Sequence, residues 1–131
     1  MTDATTLSEA PVKHEVANVF VPVLDVNLSR EWYRDVLGLP VGEVVFGHLC
    51  IIELERGPSL ILDQKLTPDG PADIQRGRYP LFMLATDDID AALAHMRRHG
   101  VEVVEYDGEV IQNGHWFNFR DCDGNLLMMC A

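Results

Sequence analysis

Two histidines, His48 and His115, hold the same place in a repeated segment. Gly47 to Gly57 reads G-H-L-C-I-I-E-L-E-R-G, and Gly114 to Gly124 reads G-H-W-F-N-F-R-D-C-D-G. Imidazoles brought together with a carboxylate can hold a zinc-type ion or move a proton. A His directly after Gly at the start of a strand is also an ordinary polar cap, and that simpler reading is adopted for both. His14 falls in an N-terminal arm, and His95 and His99 are expected on the exposed side or end of a helix. The sequence has no Ser-His-Asp order, nucleophile elbow, Walker loop or dinucleotide-binding glycine fingerprint. Glu43, Glu53, Glu55, Glu102, Glu105 and Glu109 alternate with apolar residues and read as solvated strand faces, not as paired catalytic carboxylates. Cys50, Cys122 and Cys130 form no Cys-x-x-Cys motif and read as reduced thiols, with Cys122 and Cys130 able to approach across a hairpin.

The elements that would position these residues also repeat. Val19-Phe20-Val21-Pro22-Val23-Leu24-Asp25 precedes one amphipathic helix, and Leu81-Phe82-Met83-Leu84-Ala85-Thr86-Asp87-Asp88 precedes another. Each copy is a supersecondary unit that cannot bury its apolar face alone. The first unit reads as a strand over Val16–Val23, a helix beginning near Leu28, and strands at Leu39–Phe46, His48–Glu55 and Ser59–Asp63. Asp25 or Asn27 caps that helix, Leu28, Trp32, Tyr33, Val36 and Leu37 form its apolar stripe, and Gly38 ends it. The second unit reads as a strand over Tyr79–Thr86 and a helix capped by Asp88, with Ile89, Ala92, Leu93 and Met96 inward and Gly100 at its end. Strands at Val101–Tyr106, His115–Arg120 and Leu126–Cys130 complete it, the last two joined by a turn over Asp121–Asn125.

Residues 1–15 are expected to be a flexible arm, because Met1 to about Val12 is polar and aperiodic. A single domain over residues 16–131 then comprises units at 16–63 and 79–131, joined by a linker over 64–78 that carries Pro68, Gly70, Pro71 and Gly77. The expected fold class is α+β: tandem βαβββ modules, two curved mixed sheets forming a groove, and helices on the outer face. With 47% hydrophobic and 24% charged residues over 131 positions, the composition suits one globular domain. The 21 acidic against 10 basic side chains leave a net charge of -11, which argues against nucleic acid and anionic membrane surfaces as partners; it would favour a cationic ligand, but solubility is the simpler reading and is adopted. Residues 1–10 show no secretory leader and no run is long enough to cross a membrane, so a cytoplasmic protein is expected.

The duplicated unit resembles the vicinal oxygen chelate superfamily, which holds glyoxalase I, extradiol dioxygenases, fosfomycin-resistance enzymes and bleomycin-resistance proteins. Val21-Pro22-Val23-Leu24-Asp25 followed by Trp32-Tyr33-Arg34-Asp35-Val36-Leu37-Gly38-Leu39 is similar to the first strand and helix of that superfamily. Thr86-Asp87-Asp88-Ile89-Asp90-Ala91-Ala92 and Phe119-Arg120-Asp121-Cys122-Asp123-Gly124-Asn125-Leu126-Leu127 are similar to its second half. The resemblance covers roughly Val16 to the C-terminus. One fold of this kind carries many functions, so function has to come from the site.

The resemblance implies where a divalent ion would sit, on the first and last strands of each module. Those positions fall here at Asn18, Ile61, Leu81 and Met128. Ile and Leu offer no lone pair, a Met thioether is soft, and one Asn carbonyl does not hold a hard divalent ion. No cofactor is therefore expected. A displaced metal set of His48, Asp63 and His115 is the alternative, and strand parity argues against it. Taking Asn118 as groove-facing, as in the fosfomycin-resistance enzymes, makes Trp116, Leu49 and Ile51 groove residues and turns His115 and His48 away. The groove expected on this basis is lined by Asn18, Phe20, Leu49, Ile51, Ile61, Asp63, Leu81, Met83, Trp116, Asn118 and Met128. Asp63 is its one carboxylate, open to a cationic ligand or to a role as a base. The resulting expectation is a metal-free homodimer of the bleomycin-resistance-like branch that binds an apolar, aromatic or cationic small molecule, with the four non-ligand positions leaning against an enzyme and leaving that question open. The rival is a metal-dependent lyase, isomerase or dioxygenase with displaced ligands.

Overall fold

The two halves of the chain build two four-stranded sheets of the same design in a computed structural model that describes residues 10–74 and 79–131. Residues 1–9 of the expected arm and 75–78 of the expected linker lie outside the described residues. Ala10 to Asn18 are exposed throughout. The first half runs β1 (Asn18–Pro22), α1 (Val26–Asp35), β2 (Val41–Val45), β3 (Leu49–Ile52) and β4 (Ser59–Asp63). The second runs β5 (Met83–Ala85), α2 (Ile89–Arg98), β6 (Val103–Val104), β7 (Trp116–Arg120) and β8 (Leu126–Cys130). Sheet order is β1-β4-β3-β2 in one and β5-β8-β7-β6 in the other, with β1–β4 and β5–β8 parallel and the remaining pairs antiparallel. Both sheets are thus mixed, and the parallel pair in each follows from the helix crossover between its outer strands. Two short 3-10 turns, Gln64–Leu66 and Gly70–Asp73, occupy part of the connection.

The repeated Gly-His segments mark one turn used twice. Phe46 and Gly47 have φ of 54° and 74°, and Asn113 and Gly114 have 53° and 72°. His48 N donates to Val45 O at 3.2 Å and His115 N donates to Gln112 O at 2.9 Å, closing each turn on the histidine. Two successive left-handed residues under such a bond make a type I′ hairpin turn, whose twist matches that of the strands it joins.

Helix α1 starts where the sequence suggests and turns its expected stripe inward except at Leu28, with Trp32 and Leu37 packed on the core. Asp25 is its cap, accepting from Asn27 N at 3.0 Å and Leu28 N at 3.3 Å. The buried stripe is Val26, Ser29, Tyr33 and Val36, whereas Leu28 is 64% exposed. The reason is a polar anchor: Ser29 Oγ donates to Asp123 Oδ2 at 2.7 Å, so the helix turns a serine inward and Leu28 outward. Helix α2 buries Ile89, Leu93 and Met96 as expected, with Asp88 accepting from Ala91 N at 3.0 Å. His95 is a correction. It is half-buried, and its Nε2 lies 2.6 Å from the carbonyl of Val36, so it joins α2 to the end of α1.

One side of each sheet meets the helices in a continuous core. Val21, Cys50, Ile52, Leu60 and Leu62 from the first sheet and Phe117, Phe119, Leu127 and Met129 from the second belong to one buried cluster with Tyr33, Val36, Leu93 and Met96. A polar latch reinforces this junction. The Tyr33 hydroxyl donates to Asp121 Oδ2 at 2.5 Å, and Asn125 Nδ2 donates to Asp121 Oδ2 at 2.9 Å and to Pro22 O at 2.8 Å. Leu24 N donates to Asp123 Oδ1 at 2.9 Å. Burial pushes the Tyr33 phenol well above its ordinary range, with the neighbouring Asp121 charge adding to it, and burial also raises the Asp121 carboxyl. The described cysteines are free thiols: Cys122 lies in the β7–β8 turn, and Cys130 at the far end of β8 opposite Trp116. Among the described residues, no helix is long and apolar enough to cross a membrane.

Candidate functional site

The sides of the two sheets turned away from this core are apolar and open. On the first sheet the strand register lines up Phe20, Ile61 and Ile51 in one row, and Pro22, Asp63 and Leu49 in the next. Asn18 lies on the same face beside Ser59. On the second sheet Met83, Met128, Asn118 and Val104 make one row, and Ala85, Cys130 and Trp116 another, with Leu81 preceding Met83 on the same parity. Phe20 is 55% exposed and Met83 56%, values that an ordinary core position does not have. Two cavities are described on these faces. One of about 520 Å³ lies between Val41, Glu43, Val45, Ile51 and Glu53 on the first sheet, and one of about 410 Å³ lies over the second. Each is lined by one sheet alone, so these two cavities do not gather the eleven expected groove residues around a common space.

The cavity on the second sheet is the more elaborate. Val104, Trp116, Asn118, Leu126 and Met128 line it from the sheet, with Glu105, Tyr106 and Pro80 beside them. The ring centroids of Tyr106 and Trp116 are 6.2 Å apart and the planes are inclined at 52°, a tilted aromatic pair. Buried Gln112 holds that pair in place. Its Nε2 donates to Tyr106 O and Glu109 O, both at 2.7 Å, and its backbone N donates to Trp116 O at 2.7 Å. The turn it ties down, Tyr106 to Glu109, has Asp107 and Gly108 at φ of 53° and 79°, a third turn of the I′ kind. Tyr106 and Gln112 are absent from the sequence-derived set. Pairing of Val104 with Asn118 in register puts Tyr106, two residues on, at the same face, so parity alone could have found it.

Asp63 needs a correction. It is not a free groove carboxylate: Oδ1 accepts from Lys65 N at 2.9 Å, capping the 3-10 turn, and lies 3.0 Å from His48 Nδ1. His48 is half-buried and held by this pair. His115 is exposed and sits at the start of β7 on the other sheet. Among the described residues, no three His, Cys, Asp or Glu side chains come together in a way that could hold a metal ion. At the positions where the resemblance places an ion stand one amide, two aliphatic side chains and a thioether, a donor set that does not fit a hard divalent cation.

Comparison with solved structures finds the same fold. TnmS3, an antibiotic binding protein from Streptomyces sp. CB03234, is 24% identical with a TM-score of 0.69, over 93% of this chain and 98% of that one. A lactoylglutathione lyase from Agrobacterium tumefaciens is 20% identical with a TM-score of 0.64, over 92% and 95%. A glyoxalase/bleomycin resistance protein from Streptomyces sp. CB03234 is 24% identical with a TM-score of 0.64, over 88% and 100%. Comparison with curated protein sequences gives no significant match. The family description Glyoxalase/Bleomycin resistance protein/Dioxygenase superfamily matches residues 15–129. With nearly the whole chain matched and two βαβββ halves in place, this protein belongs to the glyoxalase/bleomycin resistance protein/dioxygenase superfamily.

Proposed function

We propose that the chain is a small-molecule-binding protein that holds an apolar or aromatic compound on its open sheet faces without a divalent ion. The observation that carries this reading is the 410 Å³ cavity over the second sheet, with Trp116 and Tyr106 at one side and Met128 and Leu126 below. Such a site has the size and the mainly apolar, partly polar lining of a ligand pocket. Antibiotic binding by the structurally similar TnmS3 is in keeping with it. The donor chemistry at Asn18, Ile61, Leu81 and Met128 supports the absence of an ion. In this reading the protein is a cytoplasmic homodimer, in which a second copy covers the exposed apolar faces. Three free thiols suit a reducing compartment.

One observation favours an enzyme with displaced ligands: His48 and Asp63 are already paired at 3.0 Å, supplying two donors of such a site. Binding of 2-naphthol in the presence of a chelator separates the readings. Trp116→Ala should weaken it by on the order of ten-fold, the loss of one aromatic contact and its buried area, while His115→Ala leaves it unchanged. Equal losses in both variants, or a loss on adding chelator alone, would favour the enzyme.

A further inference from the structure

The cavity over the second sheet contains one polar group that the protein itself leaves incomplete. Asn118 is 8% exposed, lies in the middle of β7 between Val104 and Met128, and lines the cavity. Its Oδ1 is buried and has no hydrogen-bond partner among the described residues. An unsatisfied buried carbonyl is costly, and a Leu of similar shape would avoid that cost. The neighbouring carboxamide, Gln112, spends both N–H groups of its Nε2 on the Tyr106 turn, so the contrast between the two amides is one of role. Resting on the binding function proposed above, we infer that Asn118 recognises a hydrogen-bond donor on the ligand, and that the ligand is a flat aromatic ring system bearing an O–H or N–H group.

The surroundings narrow the class further. Trp116 and Tyr106 form a tilted aromatic pair 6.2 Å apart that lines the cavity, an aromatic surface suited to stacking a planar ring. A substituent on that ring then lies over the sheet where Asn118 sits. In the structure the Asn118 carbonyl is turned away from the open cavity, and a half-turn about χ2, a broad and roughly two-fold torsion for Asn, would exchange it with the Nδ2 group and present it to the ligand. Glu105 at the cavity and the net charge of -11 disfavour an acidic ligand and leave a phenol, an aromatic amine or an N-heterocycle.

The test compares 2-naphthol with 2-methoxynaphthalene, which keeps the ring and lacks the donor, by titration calorimetry on wild type and Asn118→Leu. Wild type should bind the naphthol more tightly, by about five- to ten-fold, the worth of one hydrogen bond. Asn118→Leu should abolish that preference, leave the affinity for the methyl ether within about two-fold, and raise the melting temperature. Because wild type alone must show the preference, the proposal stays testable if the variant folds poorly. Equal binding of the two compounds by wild type would overturn it while leaving the binding function standing. So would a raised melting temperature in Asn118→Leu with the preference intact, which would mean that the amide meets only water. Binding of neither compound would remove the binding function together with this inference.

Discussion

Gln112 carries more of the site than any aromatic side chain does, because it fixes the backbone at both Tyr106 and Trp116. Gln112→Leu should lower stability by about 1 kcal/mol, since Tyr106 O and Glu109 O lose the side-chain donor and keep only each other's backbone N–H. It should also weaken 2-naphthol binding by freeing Tyr106. Urea unfolding checks the first effect and calorimetry the second; unchanged stability would show that the turn holds without it. At this scale the alternation of strand side chains let the sequence place Trp116, Asn118 and Met128 on one face, because a period of two survives any error in strand ends. Parity also puts Asp63 in the groove-facing row, as the register has it, but it could not show that this carboxylate is spent on Lys65 N and His48, contacts made at a strand end.

Turns and helices show where sequence patterns stop being sufficient. The duplicated Gly-His segments are legible as turns because left-handed backbone needs glycine, and both are of the I′ kind. The first turn puts Phe46 where the second puts Asn113, and Phe46 is 86% exposed at φ 54°. A bulky residue there costs about 1–2 kcal/mol of backbone strain, so Phe46→Asn should stabilise the protein by roughly 1 kcal/mol. A rise in the urea midpoint checks this, and a fall would show that Phe46 makes contacts worth more than the strain. Helix α2 buries its predicted stripe because apolar spacing alone decides its face. Helix α1 turns Trp32, Tyr33, Val36 and Leu37 of its stripe to the core but leaves Leu28 outside, where Ser29 is drawn inward by Asp123 from the opposite half, a contact that no local spacing encodes. The strand Val16–Val23 shortens to Asn18–Pro22 and Tyr79–Thr86 to Met83–Ala85, as the partner strands β4 and β8 are themselves only five residues long.

Across the whole molecule the two halves share a core and a polar latch, and the duplication made that pairing readable while the latch was not. Tyr33→Phe leaves Asp121 Oδ2 with Asn125 Nδ2 alone and should cost about 1–3 kcal/mol at neutral pH. The phenol of Tyr33 is raised above 10.0, so the folded chain keeps a proton that the unfolded chain releases. Its contribution is complete below pH 10 and is lost as pH climbs through the raised value. Wild type should therefore lose stability above pH 10 more steeply than Tyr33→Phe does, as pH-dependent unfolding would show; parallel curves would mean that the phenol is not confined by folding. Asp121 works in the opposite pH range, where its raised carboxyl takes up a proton more readily folded than unfolded and lends stability as pH falls towards 3.8.

The metal content of the purified protein, measured by mass spectrometry after reconstitution with Zn, Mn, Ni and Fe(II) and removal of loosely held ion, bears most directly on the metal-free binding function. A stoichiometry near zero is predicted by the amide, aliphatic and thioether groups at Asn18, Ile61, Leu81 and Met128. Close to one tightly held ion per chain would contradict it and turn attention to His48 and Asp63 as ligands.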